Sequence, residues 1–220
     1  LRDFFKYYVE ERQQMEAVQM LQDAMPESLL QPDSAWVVKF REKPPVPPAP
    51  EVKGIATPDL MHRLTGYPAS SFDSVFCNDC NRLFADTGFD KHLDAMQMLM
   101  ANMMHETCNF IYMKELASGA AYNGRTDLGN TSPGDGEKYK GAGVLQLTGK
   151  FNYQRLADGI NDPKVMDGVD YVADTYPFTS AFIWIEENKL LSVCLNQGFE
   201  ACCVRINGGY NGYDDRCAKY

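Results

Sequence analysis

The chain has 220 residues, a formal net charge of −9 and a hydrophobic fraction of 45%, a globular composition that excludes wholesale disorder. The acidic pI of about 4.8 argues against a nucleic-acid partner, since phosphate binding requires clustered Lys and Arg, and against unaided adhesion to anionic cell envelopes. No apolar run approaches the roughly 20 residues that a membrane-spanning helix needs, so we expect no membrane span.

The N-terminal part of the chain has the pattern of an accessory segment, which we place at residues 1–43. Apolar residues recur at helical spacing over residues 3–25 and predict an amphipathic helix, and residues 35–40 have the pattern of a short strand. The proline-rich stretch that follows predicts a semi-rigid spacer at residues 44–52, because proline fixes φ and lacks a backbone N–H group. The main domain is then expected to cover residues 53–220.

The main domain begins with a predicted helix, because Thr57 is a favourable N-cap and Pro58 suits the first helical turn. Residues 90–107 have the clearest helical pattern, with an apolar face that we expect to fill the core. That face consists of Leu93, Met96, Met100 and Met103.

The second half of the main domain mixes loops and helices. Residues 118–150 are rich in Gly, Asn, Thr and Asp, which predicts loops and short strands, and the alternation at residues 144–147 indicates one such strand. Helical patterning returns at residues 151–158, 178–190 and 195–206. We therefore predict an α+β fold that is mainly α, with a small irregular β-sheet.

The chain contains seven cysteines, and an odd number excludes a fully paired disulfide framework within one chain. The sequence starts at Leu1 and not at Met, so we expect a segment of a longer product. It shows no basic-then-apolar leader, so we expect no secretory signal and mostly reduced, buried thiols. Cys77 and Cys80 have the spacing of half a zinc site, but no second pair of ligands follows. We therefore expect no metal and no cofactor.

Several catalytic classes are excluded by the absence of their motifs. His105 and Glu106 begin like a zinc-protease motif, but its fifth position is occupied by Asn109 where a second His is required. The nucleophile elbow of the serine hydrolases, the phosphate-binding loop and the dinucleotide fingerprint are absent from the sequence. Carboxylates remain as the candidates for chemistry.

Glu106 and Glu115 are nine residues apart, which on one continuous helix would place them on opposite faces about 13 Å apart. They converge only if the helix stops between them, and residues 107–109 are weak helix formers. Two carboxylates that face each other across a cleft are the arrangement used for acid–base hydrolysis of glycosides.

A glycine-rich polar segment, residues 134–153, follows these carboxylates. Its glycines allow the backbone to approach a ligand closely. Gln146, Thr148 and Asn152 offer amide and hydroxyl groups of the kind that bind sugar hydroxyls.

On these motifs, residues 55–220 resemble glycoside hydrolase family 19, the chitinase-like group of the lysozyme superfamily, and especially its bacteriophage peptidoglycan-hydrolase branch. The matching pieces occur in the order typical of that family. They are His105-Glu106, Glu115, residues 117–119, 122–125, 127–131, 134–136, 146–149, 152–153, 205–209 and 211–212, and Asp215-Arg216.

The resemblance implies that Glu106 is the general acid and Glu115 the general base of an inverting, single-displacement hydrolysis. Thr148 matches the hydroxyl residue that helps to hold the attacking water. The resemblance further implies a lysozyme-like fold, with the small sheet beside the cleft. Its implied substrate-binding residues are Tyr122, Gln146, Phe151, Asn152, Asn207 and Arg216.

Four of these residues also have a purely structural interpretation. Thr148 would then serve only backbone groups, Asn207 only the following turn, and Arg216 a surface ion pair. His105 is expected to be a packed neighbour of the acid and not a proton carrier. The chain departs from the branch pattern at Ala142, where an arginine usually stands between the two glycines, so one cationic contact is missing.

The function implied by the resemblance is hydrolysis of the β-1,4 bonds of bacterial peptidoglycan by a phage-encoded muramidase or endolysin. We expect its partners to be glycan strands and, through residues 1–43, other virion or tail proteins. Such a protein is made in the cytoplasm of a bacterial host and acts on the cell wall. A chitinase and a catalytically silent wall-binding tail module are the alternatives.

Overall fold

The computed structural model describes residues 54–220. The predicted N-terminal helix, the strand at residues 35–40 and the proline-rich spacer lie outside the described residues, so the division of the chain at residues 44–52 stays a prediction.

The described part of the chain is built from α-helices joined by loops and short 3-10 turns. In chain order the helices are α1 (Pro58–Thr65), α2 (Ser74–Thr87), α3 (Leu93–Glu106), α4 (Asp135–Lys138), α5 (Lys150–Ile160), α6 (Val169–Thr175), α7 (Phe182–Glu187), α8 (Leu190–Asn207) and α9 (Tyr213–Lys219). None of these helices is both long and apolar enough to cross a membrane. The prediction of a mainly helical fold is confirmed for these residues.

The predicted small sheet and its strand at residues 144–147 do not form within residues 54–220, where β-pairing is limited to isolated bridges. One bridge joins Ala142 to Leu147, with N–O distances of 3.1 and 2.8 Å. Between these two residues Gly143 and Gln146 have φ angles of 75° and 54°, which reverse the chain at once. A strand needs consecutive extended residues, so the turn ends the pairing after one step.

Helix α1 begins where its capping residues predict. The hydroxyl oxygen of Thr57 accepts a hydrogen bond from the backbone N–H of Leu60 at 3.1 Å, and Pro58 occupies the first turn. Gly66 ends the helix with a φ of 79°. The prediction of a helix starting at Thr57-Pro58 is confirmed.

Helix α2 has no counterpart among the predicted elements, although its end signals are present in the sequence. The carboxylate of Asp73 caps its first turn by accepting from the N–H of Phe76 at 2.9 Å, and Gly88 ends it in the left-handed conformation. Its apolar pattern is obscured because polar side chains, Asp79 and Asn81 among them, are also buried on it.

Helix α3 confirms the prediction made for residues 90–107, with one correction to its buried face. Met96, Met100 and Met103 are buried in the core as predicted. Leu93 is 60% exposed, because it is the first residue of the helix and lies beyond the edge of the core.

The predicted helices at residues 178–190 and 195–206 have different bounds in the structure. A 3-10 turn precedes α7, and Lys189 takes the left-handed conformation with a φ of 49°, which separates α7 from α8. Helix α8 then runs from Leu190 to Asn207 with a kink at Gly198, where φ is 80°. Helix α5, at Lys150–Ile160, confirms the prediction for residues 151–158.

The described residues form two hydrophobic cores. The first lies among α1, α2, α3, α7 and α8 and includes Leu99 and Phe178. The second lies around α5 and α6 and includes Tyr153 and Val172. Among the partly buried hydrophobic side chains of residues 54–220, Met113, in the loop after α3, is the one that packs against both cores.

Candidate active site

Helix α3 ends at Glu106, as the interpretation of residues 107–109 as a helix stop requires. The hydroxyl of buried Thr107 donates to the carbonyl of Met103 at 2.7 Å and accepts from the N–H of Phe110 at 2.9 Å. Residues 108–110 then all have positive φ angles, of 55°, 59° and 69°. Each such residue costs about 1–2 kcal/mol in backbone strain, so a sharp left-handed turn follows the candidate acid.

The carboxylate of Glu106 is held by Arg216 of α9. Arg216 is 0% exposed, and its Nη2 donates to Oε1 of Glu106 at 2.5 Å. Its Nη1 donates to Oδ1 of Asn102 at 2.6 Å, and its Nε donates to the carbonyl of Asn211 at 3.4 Å. The alternative of a surface ion pair is therefore wrong, because the guanidinium group is enclosed between α3 and α9.

This ion pair offsets an unfavourable electrostatic position. Glu106 is the last residue of α3, at the end of the helix where the macrodipole is negative. A carboxylate there is repelled by the helix dipole, and the guanidinium of Arg216 supplies the opposing positive charge.

His105 makes a second link between α3 and α9. Its Nδ1 lies 2.6 Å from Oδ2 of Asp215, whose other oxygen accepts from Lys219 at 2.7 Å. The bond from Lys219, and after it the contact with His105, holds the pKa of Asp215 below its ordinary value. Gly212 is the residue just before α9, and a Cβ added to it would lie 2.1 Å from the imidazole ring of His105. His105 therefore packs tightly against the start of α9, which agrees with its interpretation as a packed neighbour of the acid.

Glu115 lies in the loop after the left-handed turn and is half-buried. Its backbone N–H donates to the carbonyl of Gly141 at 2.9 Å, and its Oε2 accepts from the N–H of Gly141 at 3.0 Å. Its Oε1 accepts from the hydroxyl of Tyr122 at 3.1 Å. Burial, and secondarily this bond to Glu115, raises the pKa of Tyr122, so the phenol stays a donor at neutral pH.

Gly141 brings the side chain of Gln146 close to this carboxylate. A Cβ on Gly141 would lie 2.4 Å from Oε1 of Gln146 and 3.2 Å from Oε2 of Glu115. Only glycine leaves room for both groups, so the glycine-rich segment has a steric role here.

The candidate sugar-binding residues Gln146, Thr148 and Asn152 line an open cavity of about 330 Å³. The amide of Gln146 donates to the carbonyl of Gly143 at 3.0 Å, and that of Asn152 donates to the carbonyl of Thr148 at 2.8 Å. These bonds fix the amide planes and use one of the two N–H groups of each amide, so each amide keeps its oxygen to accept from a sugar hydroxyl and a second N–H to donate to one. The hydroxyl of Thr148 donates to the carbonyl of Gln146 at 2.8 Å, which keeps its purely structural interpretation open.

The two other predicted binding residues lie in separate elements. Phe151 is 58% exposed, and its ring covers Gly129, where a Cβ would lie 2.6 Å from the ring. Asn207 is the last residue of α8, followed by Gly208 with a φ of 78°, a position that suits the turn interpretation as well as a binding role.

Ala142, the departure from the branch pattern, lies between Glu115 and the cavity. It is 0% exposed and bridges to both Lys114 and Leu147. Its methyl group is packed in the second core, so the chain has a small apolar contact at a position where an arginine is usual.

The structure thus gathers seven of the predicted residues into three groups: Glu106 with Arg216, Glu115 with Tyr122, and the cavity residues Gln146, Thr148 and Asn152. Phe151 and Asn207 lie outside these groups. Sequence reasoning missed Asn102, which lies one helical turn before Glu106 and shares Arg216 with it. Asn102 and Glu106 are four residues apart on the predicted helix, and this spacing alone indicates that their side chains lie on the same face.

The half zinc motif forms no metal site among the described residues. Cys77 and Cys80 are buried in α2, and burial raises the pKa of both thiols. No group of three or more His, Cys, Asp or Glu side chains within residues 54–220 is arranged to hold a metal ion.

Comparison with known proteins finds several relatives by sequence. A glycosyl hydrolase family 19 domain-containing protein of Haemophilus influenzae is 33% identical over 106 residues, which are 48% of this chain and 51% of the relative. An endochitinase of Arabidopsis thaliana is 35% identical over 115 residues, 50% of this chain and 38% of the relative. An acidic endochitinase of Beta vulgaris is 30% identical over 110 residues, 49% of this chain and 38% of the relative. The chain therefore spans about half or less of the relatives' length, and no family model matches it.

The fold is also that of a solved chitinase. Chitinase C from Streptomyces griseus superposes with a TM-score of 0.53 at 19% identity, and a mutant of chitinase C superposes with a TM-score of 0.55 at 18% identity. Each match covers 76% of this chain and 90% of the other. The chain is similar in sequence to glycosyl hydrolase family 19 proteins and shares the mainly helical fold of a chitinase.

Proposed function

We propose that this chain is a glycoside hydrolase that cleaves β-1,4 bonds between N-acetylated sugars. The observation that carries the proposal is the pair of glutamates on either side of the left-handed turn, each held by its own donors. Arg216 holds Glu106, while Tyr122 and the N–H of Gly141 hold Glu115. The relatives named as glycosyl hydrolase and endochitinases support the same reaction class.

Glu106 takes the role of general acid in this proposal. Arg216 occupies its Oε1, so we assign the transferable proton to Oε2. Protonation of the glycosidic oxygen by Oε2 makes the departing sugar a neutral alcohol, and the resulting carboxylate is stabilised by the guanidinium that already contacts it.

Glu115 takes the role of general base. Both of its oxygens accept hydrogen bonds, which orient the carboxylate. It removes a proton from a water that attacks the anomeric carbon from the face opposite the departing sugar, with Thr148 helping to hold that water. The product then has inverted anomeric configuration.

The substrate that we favour is bacterial peptidoglycan, in line with the motif resemblance to the bacteriophage branch. In this proposal the chain is phage-encoded, and residues 1–43 attach the enzyme to other virion or tail proteins that carry it to the wall. The net charge of −9 supports such delivery, because free diffusion onto an anionic wall would be electrostatically opposed.

Chitin is the second candidate substrate, favoured by the relatives named as endochitinases. Chitin and peptidoglycan share a β-1,4-linked N-acetylated backbone, so the two carboxylates suit both polymers.

Mass spectrometry of purified sacculi and of chitin oligomers after incubation with the full chain tests the proposal. Muropeptides cut at a β-1,4 bond are the expected products, and NMR of fresh product should show the inverted anomer. Products from chitin alone would transfer the assignment to chitinase. Binding to sacculi without any cleavage would identify a silent wall-binding module, and no binding to either polymer would overturn the proposal.

The matched control is Glu106→Gln, which keeps the shape of the side chain but cannot donate the proton. We expect it to lose cleavage while retaining the wild-type circular dichroism spectrum. Cleavage at the wild-type rate by this variant would refute the assignment of the acid.

A further inference from the structure

The cavity lined by Gln146, Thr148 and Asn152 extends to a pair of opposite charges. Arg155 of α5 and Glu187 of α7 line the same cavity and form an ion pair through Nη2 and Oε1. They are the charged side chains in the described lining, which otherwise consists of amide, hydroxyl and apolar groups.

Helical spacing places these charges beside the candidate sugar-binding groups. Arg155 follows Asn152 by three residues on α5, and Glu187 follows Trp184 by three residues on α7. Residues three apart lie on the same face of a helix. Each of the two helices therefore presents one neutral and one charged side chain to the cavity.

The ion pair has the properties of a binding group and contributes little to stability. The side chains of Arg155 and Glu187 are 47% and 55% exposed, and an ion pair between such exposed groups contributes about 0–1 kcal/mol. A guanidinium group with this exposure is accessible to a ligand. Its planar N–H groups can donate two parallel hydrogen bonds to a carboxylate, which makes a carboxylate a better ligand for Arg155 than a neutral group.

We propose that Arg155 binds a carboxylate carried by a substituent of the glycan, and that Glu187 holds the guanidinium at the cavity when no ligand is bound. A chitin chain is uncharged and offers no partner for Arg155. Peptidoglycan carries a lactyl group on alternate sugars, either as a free carboxylate or extended by a peptide that has its own carboxylates. The proposal rests on the proposed function and makes Arg155 a determinant of peptidoglycan over chitin.

The test compares Arg155→Gln with wild type on three substrates: peptide-bearing peptidoglycan, glycan strands stripped of peptides, and chitin oligomers. Loss of one charge-assisted hydrogen bond should lower kcat/KM about tenfold on the carboxylate-bearing substrates and leave chitin oligomers unaffected. A loss that persists on stripped strands assigns the contact to the lactyl carboxylate, and a loss seen only with peptides assigns it to the peptide.

The matched control is Arg82→Gln, which removes an arginine from another exposed ion pair, with Asp86 on α2, remote in sequence from the cavity helices. It should behave like wild type on all three substrates. Arg155→Lys, which keeps the charge but not the planar fork, should recover part of the loss. An equal loss on chitin and peptidoglycan, or no loss on either, would overturn the proposal.

A binding measurement separates this proposal from the catalytic one. NMR titration of the wild-type chain with a soluble muropeptide and with an uncharged chitin oligomer reports binding even if no cleavage occurs. Weaker muropeptide binding by Arg155→Gln with unchanged chitin-oligomer binding supports the carboxylate site whatever the enzyme assay gives. Unchanged muropeptide binding overturns it, even if wild-type cleavage is confirmed.

Discussion

Arg216 reaches from α9 to the last residue of α3 and donates from Nη2 to Oε1 of Glu106 at 2.5 Å, with its guanidinium group completely buried. The same group donates to Asn102 one helical turn earlier. The candidate acid is therefore held by a buried charge that bridges α9 and α3.

Replacement of Arg216 by Met should lower both stability and activity. Glu106 and Asn102 would lose their donor in a poorly hydrated site, so we expect the free energy of unfolding to fall by about 2 kcal/mol and the hydrolysis rate by about a hundredfold. Urea denaturation and reducing-sugar release from glycan substrates measure the two effects. Arg205→Met, which removes an exposed arginine from α8, is the control, and equal behaviour of the two variants would contradict the role of the buried pair.

Replacement of Tyr122 by Phe should slow hydrolysis without unfolding the protein. The variant lacks the hydroxyl that donates to Oε1 of Glu115, so the candidate base is less well oriented, and we expect kcat to fall about tenfold with little change in KM. Steady-state kinetics on chitin oligomers or muropeptides provide the measurement. Tyr112→Phe removes the hydroxyl of an exposed tyrosine and should leave kcat unchanged; a tenfold drop there too would argue against the specific bond.

Replacement of Gly141 by Ala should displace Gln146 from Glu115. The new Cβ would lie 2.4 Å from Oε1 of Gln146, so the amide must move, and we expect at least a tenfold loss of kcat/KM. Gly159→Ala in α5 is the matched control, because a Cβ there meets no heavy atom within 4 Å. Activity of Gly141→Ala equal to that of the control would show that the position of Gln146 is unimportant.

Asp79 should give the protein a measurable pH dependence of stability. Its carboxylate accepts from the N–H groups of Phe178 and Thr179 at 2.7 and 3.0 Å, yet burial outweighs these bonds and raises its pKa from 3.8 to about 6. Between these two values the folded state holds a proton that the unfolded state lacks. The contribution of Asp79 to the free energy of unfolding therefore falls as pH rises from about 4 to about 6.

Urea titrations of wild type and Asp79→Asn across this pH range test the sign. The wild-type free energy of unfolding, minus that of the variant, should decrease by up to about 3 kcal/mol as pH rises from 4 to 7. Asp86→Asn, an exposed position on the same helix, controls for the loss of a carboxylate in general. A difference that is constant or increases with pH would contradict the raised pKa.

The helix stop at Glu106 was predictable because Thr107 and its neighbours are poor helix formers, and the structure adds the hydroxyl bonds that complete the turn. Helix α2 was not predictable from periodicity, since buried Asp79 bonds to residues about a hundred positions away. The candidate acid and base were predicted from sequence motifs. The partners of Arg216 were not predictable in this way, because they depend on how α9 packs against α3. The ion pair of Arg155 with Glu187 joins residues 32 positions apart, so it could not be predicted from a local sequence pattern.

Met113 connects the two cores through one unbranched, flexible side chain, which adapts to irregular gaps more readily than any branched residue. Glu106 belongs to a helix of the first core, and Glu115 is bonded to Gly141 at the border of the second. The loop that leads from the candidate acid to the candidate base is thus anchored in both cores by one side chain, and a branched or larger residue at position 113 would have to fit two apolar surfaces at once.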